Sequence, residues 1–229
     1  MSSQTRGRRV AALVILAAPH ALALVAPMHA PPLRAVRCNY VTPQQVAAAA
    51  SADDLVYGRG TMADLSSIVA LAEEEFGKDY TDPISKFGLV SLLTVGFGLR
   101  LNRDDHAILT CKAGTDLLGY VEVSPQPAGE VSGPFPLAKW AKSFMGPLTP
   151  YLANLLVRPD ARRRGVGGAL VIACEQEVAR WGGDVLGLHH DVQDQKLFRF
   201  YNKLGFAGDA QLNHQGFVLV YVEKPVRPS

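Results

Sequence analysis

The sequence predicts an α/β domain built on a mixed sheet with helices on both faces. Three observations carry that prediction. Strand-like runs alternate with helix-period runs between residues 55 and 223. One of those strand runs, ending at 157, leads into a turn dense in Arg and Gly that opens a strong helical pattern. Hydrophobic residues make up 48% of the 229 and charged residues 19%, a balance that supports a buried core and excludes a disordered or collagen-like chain. That length is room for one ordinary domain plus an extension.

The extension comes first. Arg6, Arg8 and Arg9 precede an apolar run over 10–18, and Ala21-Leu22-Ala23 offers a small-x-small cleavage pattern. Pro19 and His20 interrupt the run, which argues against a stable spanning helix. Residues 24–51 are then rich in Ala and Pro, with Arg34 and Arg37 and no acid, the composition of a transit segment. A hydrophobic signal followed by a basic, acid-free stretch resembles the bipartite plastid presequence of algae with complex plastids. The Ala-Leu-Ala-Leu-Val-Ala-Pro stretch at 21–27 is similar to the cleavage junction of such presequences, with Leu24 where an aromatic residue usually stands. Residues 1–52 are therefore expected to be a targeting presequence. Its expected destination is the plastid (chloroplast), with no stable membrane insertion once it is removed. Secretion and a retained anchor are the alternatives. The folded domain is expected over 53–229.

Within the domain, residues 55–60 read as a short strand. Thr61 is a helix N-cap with Asp64 as its capping-box partner. Met62, Leu65, Ile68, Val69, Ala72 and Phe76 follow at helical spacing. Residues 84–101 form a second apolar segment. It reads as a buried or groove-lining helix, because Lys86 and the glycines at 88, 96 and 98 fit a membrane span poorly. Residues 106–112 and 116–124 read as a hairpin about Gly114. Residues 126–150, rich in Pro and Gly, read as an inserted loop. It carries amphipathic turns over 137–145 and an i,i+4 packing pair, Trp140 and Phe144. A strand at 151–157 and a helix at 166–181, stopped by Gly182-Gly183, come next. A strand at 185–190, a helix at 195–204 and a last strand at 216–223 complete the pattern.

The net charge of +2 hides an asymmetry. Residues 1–52 hold five Arg and no acid, so the rest of the chain has 18 basic against 21 acidic residues. A net −3 argues against nucleic acid as a partner. Cys38, Cys111 and Cys174 lie far apart, which rules out a disulfide framework or a CxxC zinc site. His189 and His190 put adjacent side chains on opposite faces of a strand, so no metal site is expected there.

One segment carries the chemistry: Leu-Leu-Val-Arg-Pro-Asp-Ala-Arg-Arg-Arg-Gly-Val-Gly-Gly at 155–168. The first N–H groups of a helix have no partner within it, and the helix dipole adds positive potential there. Gly165, Gly167 and Gly168 let a pyrophosphate approach the backbone, and Arg162, Arg163 and Arg164 add charge. No Lys-Ser/Thr pair follows the glycines, so this is not a nucleotide-hydrolysing loop. The spacing is not GxGxxG, which weakens a dinucleotide reading.

Here the chain resembles the GCN5-related N-acetyltransferase (GNAT) superfamily. Its pyrophosphate motif, Gln/Arg-x-x-Gly-x-Gly/Ala, stands as Arg162-Arg163-Arg164-Gly165-Val166-Gly167. The preceding strand 155–157 with Pro159, and the later Phe-Tyr-Asn-Lys-Leu-Gly-Phe at 200–206, also match the family's pattern. The Arg-Arg-Arg-Gly-x-Gly, Trp-Gly and Leu-His elements look most like plastid-type members, which acetylate protein N-termini, lysines or both. The resemblance implies a mostly antiparallel sheet whose fourth and fifth strands splay apart, with the pantetheine of acetyl-CoA inserted between them. Leu155, Leu156 and Val157 would line that wedge, and backbone N–H groups from Arg163 through Val166 to Gly168 would hold the pyrophosphate. Tyr201 matches the tyrosine that protonates the departing thiolate. Asp194 stands where the family often has a pantetheine-binding Asn, and His190 where it often has Val.

The implied reaction is direct attack of a neutral amine on the acetyl thioester, with acetyl-CoA as co-substrate and no metal. An amine of lysine type is mostly protonated at neutral pH, so a base is needed. Glu122 is one candidate, and His189 or His190 are others. Glu122 also reads as an ordinary solvent-face residue of an alternating strand, and Tyr201 as a core tyrosine. The expected function is acetylation of a protein or peptide amine, either an N-terminal α-amine or a lysine ε-amine. The alternatives are a small-molecule amine as acceptor, or a non-catalytic acyl-CoA-binding module.

Overall fold

The computed structural model describes residues 55–127, 146–214 and 216–226. Among these residues, seven strands form one sheet. They are β1 (Leu55–Arg59), β2 (Ala107–Ala113), β3 (Asp116–Pro127), β4 (Leu148–Val157), β5 (Val185–Asp191), β6 (Ala207–His214) and β7 (Phe217–Pro225). Their order in the sheet is β1-β2-β3-β4-β5-β7-β6. All neighbours run antiparallel except β4 and β5, which are parallel. Among the described residues, four α-helices flank the sheet: α1 (Leu65–Phe76), α2 (Pro83–Leu101), α3 (Val166–Arg180) and α4 (Gln195–Lys203).

Period-2 alternation sends the side chains of β2, β3 and β4 into two cores, one on each face of the sheet. Val121, Val123, Leu152, Leu188 and Val222 pack with Leu170 and Cys174 of α3 on one face. Ile108, Tyr120 and Leu156 pack with Ile68 of α1 and Phe97 of α2 on the other. Phe97 meets Tyr120 edge-on at 5.5 Å, the geometry that aromatic quadrupoles favour. Thr61 and Asp64 form the capping box expected from sequence, with the Thr61 amide donating to the Asp64 carboxylate at 2.9 Å. Gly119 is required by packing: a Cβ there would lie 2.7 Å from the Leu156 carbonyl oxygen.

The structure departs from the sequence reading in three places. A strand, β6, stands between residues 205 and 216, where none was expected. Its residues are almost all exposed, so the burial that would have written period-2 alternation into them is missing. The inserted loop is shorter than 126–150, because Gln126 and Pro127 continue β3 and pair with Thr149 and Leu148 of β4. Its inner part, including Trp140 and Phe144, lies outside the described residues, as do residues 1–52. Finally, α2 is only half covered. Leu89, Leu93 and Phe97 are buried, but Ile84 and Phe87 are 84% and 74% exposed. It is long and apolar enough to cross a membrane by length and composition.

Candidate active site

β4 and β5 touch at one register pair, Tyr151 with Gly187. Beyond it the strands part, because β4 carries a bulge. Tyr120 pairs with Leu156 and Glu122 with Ala153, so Asn154 and Leu155 together oppose Val121. An extra residue on one strand bends it and deepens its twist. Asn154 sits at φ +49, in the left-handed region. The bulge thus opens the wedge between the strands. Leu155 and Val157 pack toward the α3 core, whereas the Leu156 side chain is buried in the α1/α2 core. Only the backbone of Leu156 can therefore face a ligand in the wedge.

The loop after β4 leads into α3. Arg163 has φ +63 and Gly165, the N-cap, φ +85. The helix ladder begins with the Ala169 amide donating to the Gly165 carbonyl at 3.0 Å. The amides of Val166, Gly167 and Gly168 precede it and have no backbone acceptor among the described residues. Val166 is itself a buried core side chain, so only its N–H can serve an anion. Arg162, exposed, folds back along the surface: its Nε donates to the Val157 carbonyl at 2.8 Å, and Nη2 lies 3.3 Å from Glu75. Arg163 and Arg164 are exposed on the loop. Gly167 locates the meeting point of three elements, since a Cβ on it would stand 3.5 Å from Phe200 of α4 and 3.7 Å from Val157 of β4. Open amides, a left-handed glycine and flanking cations at the mouth of a wedge fit an acyl-CoA, pyrophosphate outward and pantetheine inward.

Tyr201 of α4 is buried beside this point. Its ring lies edge-on to Phe200 at 5.0 Å and to Phe206 at 5.7 Å, and stacked on His190 at 6.3 Å. Burial, with the Cys174 thiol nearby, pushes its phenol well above the ordinary value. It therefore stays protonated and can donate. Its hydroxyl has no hydrogen-bond partner among the described residues. Asp194 caps α4, with one oxygen accepting from the amides of Lys196 and Leu197 at 2.9 and 3.0 Å. That side chain is already committed to the helix start, and a pantetheine contact would have to share it.

The three candidate bases fall in different environments. Glu122 is 2% exposed. Its oxygens meet His106 Nε2 at 2.8 Å, Asn154 Nδ2 at 2.6 Å and Arg100 Nε at 3.4 Å. Burial alone would raise its carboxyl, but the Arg100 charge and the His106 and Asn154 hydrogen bonds reverse this and lower it to about 2. A sealed carboxylate of that acidity is a poor proton acceptor, which corrects the expectation of Glu122 as the base. His190 is buried on the Tyr201 side, with Nδ1 2.9 Å from the Asp191 carbonyl. His189 lies on the opposite face of β5, half-buried, sharing a 3.1 Å hydrogen bond with the Tyr151 hydroxyl and packing against Tyr221 at 5.2 Å. Burial and the nearby His214 and His190 lower it to about 4, so its imidazole is neutral at neutral pH. The sequence reading did not single out Asn154, Tyr151, Arg100 or His106. An arginine near the end of a mostly apolar helix is the one visible signal.

The sequence profile of the Acetyltransferase (GNAT) family matches residues 67–206, more than half of the chain. The chain belongs to that family, and it is accordingly an acetyl-CoA-dependent N-acetyltransferase. No curated protein is a significant match to the sequence. Among solved structures, a protein assigned to the GNAT family from Desulfovibrio desulfuricans is similar, at 18% identity and a TM-score of 0.54, over 76% of this chain and 99% of that one. A ribosomal-protein-alanine N-acetyltransferase from Brucella melitensis shares 16% identity, with a TM-score of 0.52 over 74% and 99% of the two chains. An aminoglycoside 6'-N-acetyltransferase in complex with coenzyme A shares 14% identity, with a TM-score of 0.52 over 76% and 98%. At these identities the likeness establishes the fold alone. Among the described residues, no group of three His, Cys, Asp or Glu is placed to hold a metal ion.

Proposed function

We propose that this enzyme transfers acetyl from acetyl-CoA to protein amines, N-terminal α-amines or lysine ε-amines, in a plastid as a plastid-type member of its family. The observation that carries the binding reading is the convergence of the open α3 amides, the end of β4 and the Tyr201 helix at Gly167. The protein acceptor is supported by the sheet face of β5, β7 and β6 opposite α3 and α4. The Tyr151, His189 and Tyr221 side chains meet there, and α1 and α2 pack instead over β2 and β3. An extended acceptor fits such a face. The plastid assignment is supported by the composition of residues 1–52.

Acetyl-CoA supplies an activated acetyl thioester. The amides of 165–168 hold the pyrophosphate, and a β4 amide past the bulge polarises the acetyl carbonyl. Tyr201 holds a proton for the departing sulfur. His189 accepts the proton of the attacking amine. In the tautomer whose Nδ1–H donates to the Tyr151 oxygen, Nε2 keeps a free lone pair. The amine nitrogen becomes strongly acidic once it bonds to carbon, so a weakly basic neutral imidazole suffices.

The test is incubation of the protein with acetyl-CoA and a mixed peptide library, read by mass spectrometry, with Tyr201→Phe and His189→Ala alongside. Acetylated α-amines or lysines, diminished in both variants, are expected. Acetyl-CoA binding without peptide products would move the acceptor to small amines.

A further inference from the structure

We propose that Glu122 is a positioning residue, clamping Asn154 in its left-handed conformation and so setting the direction of the β4 backbone that faces acetyl-CoA. This rests on the reading that residues 154–157 line the acetyl-CoA wedge.

The clamp ties four elements together. Arg100 comes from the last turn of α2, with its guanidinium 5.6 Å over the Phe97 ring. His106 stands at the entry to β2, Glu122 is on β3, and Asn154 is at the β4 bulge. Arg100, His106 and Glu122 are all buried. A carboxylate in that setting is fixed by two donors, and its Oε1 is left for the Asn154 amide at 2.6 Å. Asn is the side chain most at ease with positive φ after Gly, but it is not confined there. The hydrogen bond to Glu122 selects the left-handed state and pins it. With Asn154 pinned, Asn154 and Leu155 stay opposite one residue of β3, and β4 leaves β5 just beyond the Tyr151–Gly187 pair. The amides and carbonyls of 155–157 then point where the wedge needs them. Glu122 touches neither cofactor nor acceptor in this account; it acts through Asn154.

A double-mutant cycle tests this, with acetyl-CoA affinity read by calorimetry and melting temperature read beside it. N154A loses both the amide and the ease with positive φ, and its dissociation constant should rise about tenfold. N154G loses the amide but keeps the backbone freedom, and should rise only about threefold. E122Q places an amide nitrogen against converging donors and should also rise about tenfold, but in the N154G background it should add less than about twofold. The N154A arm alters no buried charge, so it stands even where E122Q fails to fold. Equal fold-changes for E122Q in both backgrounds, or an unchanged dissociation constant in folded N154A, would overturn the clamp. A wild-type protein that does not bind acetyl-CoA would instead overturn the reading of the wedge itself.

Discussion

Tyr201 and Glu122 show how environment decides what a titratable side chain can do. Tyr201 is held neutral by burial, so its hydroxyl is a hydrogen-bond donor to the departing sulfur across the neutral range. Its hydroxyl supports nothing else among the described residues. Tyr201→Phe is therefore expected to lower kcat by about 10²-fold, at the low end of general acid contributions, while the melting temperature stays almost unchanged. A large loss of stability with intact turnover would assign it to the core instead. Glu122 is the opposite case. Its carboxyl falls from 4.5 to about 2 in the fold, so its stabilisation is full above pH 4.5 and is lost as pH drops toward 2. The span corresponds to about 3 kcal/mol at most. Glu122→Gln should be less stable at neutral pH yet show a shallower decline between pH 4.5 and 2 in chemical denaturation. Parallel acid limbs for the two proteins would contradict the ion-pair account.

At the scale of elements, the turn into α3 was the most legible feature. Its residue types account for its geometry and charge: Gly for positive φ, Arg for charge, a helix start for open amides. Gly165 at φ +85 has open space where a Cβ would go, so the penalty of Gly165→Ala is conformational rather than steric. The variant should lose about 1 kcal/mol of stability. It should also bind acetyl-CoA more weakly, because the amides that follow it turn with it. Calorimetry and thermal unfolding together check this, and a variant of unchanged affinity would remove the pyrophosphate from this turn. The β4 bulge was illegible by comparison. Nothing in Tyr-Leu-Ala-Asn-Leu-Leu-Val marks Asn154 as an extra residue, since the bulge is defined by the β3 partner across the ladder. β6 was illegible for another reason: an exposed edge strand buries too little to impose a pattern.

On the scale of the molecule, the sheet separates two tasks. The α3/α4 face carries the open amides and Tyr201, and the opposite face carries His189, Tyr151 and Tyr221. The adjacent histidines of β5 straddle that divide, as strand alternation requires. The presequence proposed for residues 1–52 is tested separately. Residues 1–52 fused to a fluorescent protein should carry it into the plastid of an alga with complex plastids, seen as overlap with chlorophyll fluorescence. Retention in the secretory pathway would point to a signal without a transit function.

The sequence by itself determined the fold class, and it pointed to the turn into α3 and to Tyr201, because each is encoded locally, in periodicity or in contiguous residue types. The tertiary structure decided the surroundings of Glu122, His189 and His190. Glu122 became a clamp only when Arg100 and His106 met it across 22 and 16 residues of chain. Its acidity is a sum of burial and neighbouring charge, and neither is defined until the elements pack.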